Sequence, residues 1–106
     1  MNWTVYYYNE RVKRAVLDVP ASILASYLRL LELMQEFGAD LRMPYSRAMG
    51  DGLFELRPEG SDIGRVLYCT EVGRSVIVLH SFVKKTRETP LSELRTGRTR
   101  LKEINQ

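Results

Sequence analysis

The chain has 106 residues, 44% of them hydrophobic and 27% charged, which suits one soluble domain with a single modest core and excludes wholesale disorder. Its one cysteine, Cys69, rules out an internal disulfide and a cysteine-built metal site, and no apolar run approaches the roughly 20 residues of a membrane-spanning helix. The formal charge of +3 is unevenly placed: residues 1–41 carry four Lys and Arg against five Asp and Glu, and residues 42–106 carry twelve against eight.

A basic C-terminal part can hold a polyanion, because each neutralised phosphate releases counterions; the same charges also serve solubility. The opening MNWTVYYYNE lacks the basic and apolar regions of an export signal, so a reducing cytoplasm is the expected location.

In chain order, WTVYYY (3–8) is aromatic and β-branched and predicts a strand. Asn9 to Leu17 predicts a short helix, broken at Asp18-Val19-Pro20. Pro20 suits the first turn of the next helix, where Ile23, Leu24, Tyr27, Leu28, Leu31, Met34 and Phe37 form an apolar stripe ending at Gly38. These two helices are expected to form a hairpin packed on a sheet. Residues 39–52 read as a loop with a Gly50-Asp51-Gly52 turn. Three strands follow, LFELR (53–57), RVLYCT (65–70) and SVIVLHSFV (75–83), and their short joints predict antiparallel neighbours. Pro90 opens a last helix over 91–104 with Thr89 as its expected N-cap, and Gly97 weakens that helix by roughly 1 kcal/mol against alanine, predicting fraying or dependence on a partner. The order β-α-α-β-β-β-α describes a small α+β domain spanning residues 1–106.

Strand alternation puts Leu53, Glu55 and Arg57 on one face and His80, Phe82 and Lys84 on one face of the last strand. The run VIVLHSFV (76–83) is apolar on both faces and should be central, yet it stops at Lys84 and Lys85, with Arg87 just beyond. Arg57 and Arg65 flank the connection 58–64; side by side they would repel unless something anionic lay between them.

Enzyme templates are mostly missing. One histidine cannot divide acid and base roles, no HExxH, Walker or G-x-S-x-G motif occurs, and Glu55 and Asp62 show no pairing typical of glycosidases. Cys69 lies inside an apolar strand and reads as buried and inert.

The remaining set, Arg57, Arg65, Lys84 and Lys85 with Phe82, His80 and Tyr68, suits RNA cleavage. There the substrate's 2′-OH is the nucleophile, and the protein has to position the backbone, offset charge on the phosphorane and move a proton. Guanidinium groups suit bidentate phosphate contact, a lysine among other cations suits proton transfer, and Phe82 suits stacking on a splayed base. Packing roles for Phe82, His80 and Tyr68 stand beside these, and the residues alone describe a basic-rimmed domain suited to RNA.

GDGLFELR (50–57), RVLYC (65–69) and IVLHSFVKKTRETP (77–90) resemble, in order and spacing, the phage-derived, HigB-like branch of the RelE toxin superfamily. The opening segment and the long helix fit as well, so the resemblance spans nearly the whole chain. Departures are Ser81 for a usual glycine, Gly64 and Cys69 where aromatics are common, and Gly97 for a usual alanine.

The resemblance implies a RelE-like fold and a type II toxin that cleaves mRNA without a metal or cofactor, often on the ribosome. Its implied partner is a helix-turn-helix, HigA-like antitoxin, with operator DNA reached only through that antitoxin. Arg57, Arg65, Lys84 and Lys85 take the catalytic roles, and Phe82, His80, Tyr68, Arg87 and Arg47 the RNA contacts. Two other readings of the same scaffold are a non-catalytic toxin resembling gyrase inhibitors and an RNA-binding module without cleavage.

Overall fold

A computed structural model describes residues 2–58, 63–84, 86 and 88–105. Strand β1 (Thr4–Tyr7) leads into helices α1 (Glu10–Leu17) and α2 (Ala21–Phe37), followed by a single 3₁₀ turn. Strands β2 (Ser46–Gly50), β3 (Leu53–Leu56), β4 (Ile63–Glu71) and β5 (Ser75–Lys84) come next, and helix α3 (Leu91–Ile104) closes the described chain. The five strands form one sheet in the order β1-β5-β4-β3-β2, with β1 parallel to β5 and the other pairs antiparallel. The α+β class and a central β5 agree with the sequence reading.

Residues 46–50 correct it. Read as part of a loop, they form β2, which pairs with β3 through Ser46 opposite Leu56, Arg47 opposite Glu55 and Ala48 opposite Phe54. The segment SRAMG has no β-branched residue, so its pairing comes from the partner strand and from the Gly50-Asp51-Gly52 turn. All three turn residues have positive φ (91°, 54° and 85°), as a tight hairpin turn requires.

The sheet is covered on both faces. On one, Val12 and Val16 of α1 and Tyr27, Leu30 and Met34 of α2 pack on Leu56, Val66, Tyr68, Val76 and Val78. On the other, Leu101 of α3 packs on Leu53, Leu67, Cys69, Leu79 and Phe82. Leu67 and Cys69 alternate with Val66 and Tyr68 along β4, as the period of two demands.

The stripe on α2 is also corrected. Its buried residues are Ile23, Tyr27, Leu30 and Met34, whereas Leu28 and Phe37 are nearly half exposed and Leu24 and Leu31 only partly covered. The sheet covers a narrower arc of the helix than the apolar pattern offers.

Gly97 and Gly64 mark close approaches. A Cβ on Gly97 would lie 2.6 Å from Leu67 Cδ1, so Gly97 lets α3 settle directly on the sheet. The helix is continuous across it. A Cβ on Gly64 would lie 2.6 Å from Ile23 Cγ2, so Gly64 lets α2 approach the start of β4. At the start of α3 the N-cap position is held by Pro90 without a side-chain bond, and Thr89 turns elsewhere. Among the described residues no helix is long and apolar enough to cross a membrane.

Candidate functional site

Four antiparallel strands bring one end of the α3-side face together: Arg47 near the start of β2, Glu55 near the end of β3, Arg65 near the start of β4 and Lys84 at the end of β5. Register fixes the neighbours, with Arg47 opposite Glu55 and Arg65 opposite Phe82. Each side chain therefore stands on a rigid ladder, and Arg57 projects from the residue after β3.

Glu55 is the centre, and it is fully buried. Its Oε1 lies 3.2 Å from Nη1 of Arg57 and 3.5 Å from Nε of Arg65, while its Oε2 accepts a hydrogen bond of 2.6 Å from the Thr89 hydroxyl. The ammonium of Lys84 in turn lies 3.5 Å from Thr89 Oγ1. Arg65 also donates through Nη1 to its neighbour's carbonyl, Gly64 O, at 2.7 Å. The anion required between Arg57 and Arg65 is thus supplied by the protein itself. A buried carboxylate survives only when paired and hydrogen-bonded, and this one is paired with two guanidiniums and a hydroxyl.

The cations are graded in exposure. Arg65 and Lys84 are 6% and 5% exposed, the Arg57 side chain is 23% exposed, and Arg47 stands in solvent. Burial lowers the Lys84 pKa below the ordinary lysine value, and the charges of Arg65, Arg57 and Arg47 push it the same way against the opposing pull of Glu55. Four basic side chains around one carboxylate leave an excess of positive charge, which an incoming phosphate can balance.

Beside the cluster, the rings of His80 and Phe82 stack with centroids 5.6 Å apart and planes at 30°. His80 Nε2 lies 3.3 Å from Glu93 Oε1, and Arg100 Nη1 approaches His80 Nδ1 at 3.5 Å while donating to Leu79 O at 2.7 Å. Helix α3 thereby holds the ring from both nitrogens. Phe82 is 9% exposed and mostly packed into the core, leaving only an edge for a base.

Of the residues singled out from sequence, Arg47, Arg57, Arg65 and Lys84 come together, and His80 and Phe82 border them. Tyr68 does not join them. It is buried on the opposite face, stacked on Phe54 and hydrogen-bonded to Ser46 Oγ at 2.5 Å, because it stands an odd number of residues from Arg65 on one strand. Lys85, Arg87 and Asp62 lie outside the described residues. Cys69 is buried, and burial pushes its thiol up to about 11, which fits an inert side chain.

Sequence reasoning missed Glu55 and Thr89. The signal for Glu55 was present: a carboxylate sharing a strand face with Leu53 points inward, and inward charge demands partners. Thr89 gave none, since its hydroxyl suited a helix cap equally well. Among the described residues no three His, Cys, Asp or Glu side chains gather as metal ligands.

A family model described as phage-derived protein Gp49-like (DUF891) matches residues 15–102. No curated protein matches the chain.

Proposed function

The chain belongs to the phage-derived Gp49-like family, a RelE/toxin-like family, and on that premise we propose that it is a HigB-like toxin of a type II toxin–antitoxin pair that cleaves mRNA. The observation that carries this reading is the surplus of cations, on a rigid strand end, around one buried carboxylate.

In this reaction the RNA 2′-OH attacks the adjacent phosphorus and the bond to the 5′-oxygen breaks. The products are a 2′,3′-cyclic phosphate and a 5′-hydroxyl. Arg57 and Arg47, the more accessible cations, hold the phosphate oxygens, and Arg65 adds positive charge from behind as the phosphorane forms. Lys84, with its lowered pKa, exchanges a proton with the reacting oxygens. Glu55 does not touch substrate: fully buried, it keeps two arginines side by side and holds the Thr89 hydroxyl next to the Lys84 ammonium. A ribosome-bound message is the substrate and a helix-turn-helix antitoxin the neutralising partner.

The near-complete burial of Arg65 and Lys84 favours a second reading, RNA binding without cleavage. Incubating the full chain with mRNA, with and without ribosomes, separates the two. Fragments ending in cyclic phosphate, absent with Lys84→Met, are the expected result. Intact RNA in both arms alongside measurable RNA binding leaves only the second reading, and no binding at all removes both.

A further inference from the structure

Arg57 belongs to two places at once. Its guanidinium meets Glu55 in the cluster, and it also lines a separate cleft of about 210 Å³ between α2 and the loop before β2, together with Ser26, Arg29, Leu30, Pro44 and Tyr45. The cleft is smaller than the roughly 300–1,000 Å³ of pockets for drug-sized ligands, so its natural occupant is a fragment of one ring's size.

Its lining is specific in character. Tyr45 is 42% exposed although it sits in a fixed turn, where its N–H donates to Arg42 O at 3.0 Å and its carbonyl accepts from Arg57 N–H at 3.0 Å. Leu30 is buried and forms the apolar floor, and Pro44 is exposed. Arg29, three residues after Ser26 on α2, is exposed on the same side of the helix. The lining thus offers an aromatic ring and two guanidiniums, and it includes no acid. A planar aromatic heterocycle with a phosphate attached fits that chemistry: the ring stacks on tyrosine and the phosphate meets arginine.

We propose that this cleft is a nucleotide subsite for single-stranded RNA, in which Tyr45 stacks on a base and Arg29 holds its phosphate. Arg57 spans the gap to the cluster, so the base bound here is next to the phosphate held there. The subsite rests on the reading that the cluster binds RNA backbone, and it assigns base selection to α2 and the 42–45 turn rather than to the strand ends.

The test is fluorescence anisotropy of the full chain with a labelled single-stranded RNA hexamer carrying 2′-O-methyl sugars to block cleavage, repeated over a salt series. Tyr45→Ala should weaken binding on the order of tenfold, and Tyr45→Phe, which keeps the ring, should bind like the parent. Arg29→Ala should lower the slope of log affinity against log salt by about 0.7, the contribution of one single-strand phosphate. Tyr45→Ala and Arg29→Ala both binding as the parent does, while Arg57→Ala loses affinity, would overturn the subsite and leave the cluster's role intact. A parent protein that binds no RNA removes both. RNA held through Tyr45 by a protein that never cleaves its ribose counterpart keeps the subsite and ends the nuclease reading.

Discussion

The two faces of one sheet contrast sharply, although they come from alternate residues of the same strands. The face under α1 and α2 is largely apolar, with Leu56, Val66, Tyr68, Val76 and Val78 meeting the two helices and Ser46 as its buried polar residue. The α3-side face starts the same way, with Leu53, Leu67, Cys69 and Leu79 against Leu101, and then changes to Glu55, Arg65 and Lys84 at one end. Stability is concentrated on the first face, and the second spends part of its burial on charge. Glu55 and Arg65 are held in place because Leu56 and Val66, the next residues on their strands, are locked into the opposite core.

The largest expected effect that sharpens this contrast is at Glu55. Glu55→Gln should destabilise by about 3–5 kcal/mol in chemical denaturation, since breaking a buried ion pair strands its partners. Added sulfate should then raise the melting temperature of the variant more than that of the parent, because an external anion replaces the lost carboxylate. Equal sulfate effects would mean the cations are not gathered around Glu55.

On the other face, Met34→Ala should cost about 2–5 kcal/mol as a fully buried truncation, while cleavage by the remaining folded protein is unchanged. A loss of cleavage out of proportion to the unfolded fraction would break the division between the faces.

Lys84 separates stability from function in the opposite direction. Its pKa is lowered in the folded protein, so the unfolded chain binds more protons between that value and 10.5. The penalty from charging Lys84 is therefore full below the folded pKa and relieved as pH rises towards 10.5. Lys84→Met should remove this rise from a stability–pH series and should also relieve growth arrest on induction. A variant that keeps the parent's pH slope would locate the titrating group elsewhere.

The smallest effect is expected at Lys13, exposed on α1 with its ammonium 5.9 Å from the Tyr7 ring centroid. Lys13→Ala should shift stability by no more than about 1 kcal/mol and leave toxicity intact. Strong loss of toxicity would extend the RNA path onto the α1 side of the sheet.

What could be read from the sequence follows the physics of each segment. The continuous apolar run VIVLHSFV and the helical patterns of α1, α2 and the last helix are strong signals, and these elements are where expected. The strand Ser46–Gly50 was illegible because its residues have no strand preference of their own; pairing with β3 decides it. Arg57, Arg65 and Lys84 were legible as a set because alternation puts them on one face at neighbouring strand ends. Arg47 could join them on geometry only once β2 was known to pair with β3. Tyr68 was misplaced by ignoring the same alternation, and the bond from Thr89 to Glu55 joins residues too far apart in the chain for any local pattern to reveal.

The most direct test of the central claim, that the cations gathered around Glu55 engage RNA phosphate, is a side-chain NMR titration of the full chain with a 2′-O-methyl-blocked RNA. The account predicts that the guanidinium signals of Arg57 and Arg47 and the ammonium signal of Lys84 move together, while Lys13 on the far side stays still. Shifts at Lys13 and Arg14 with Arg57 and Lys84 unmoved would contradict it.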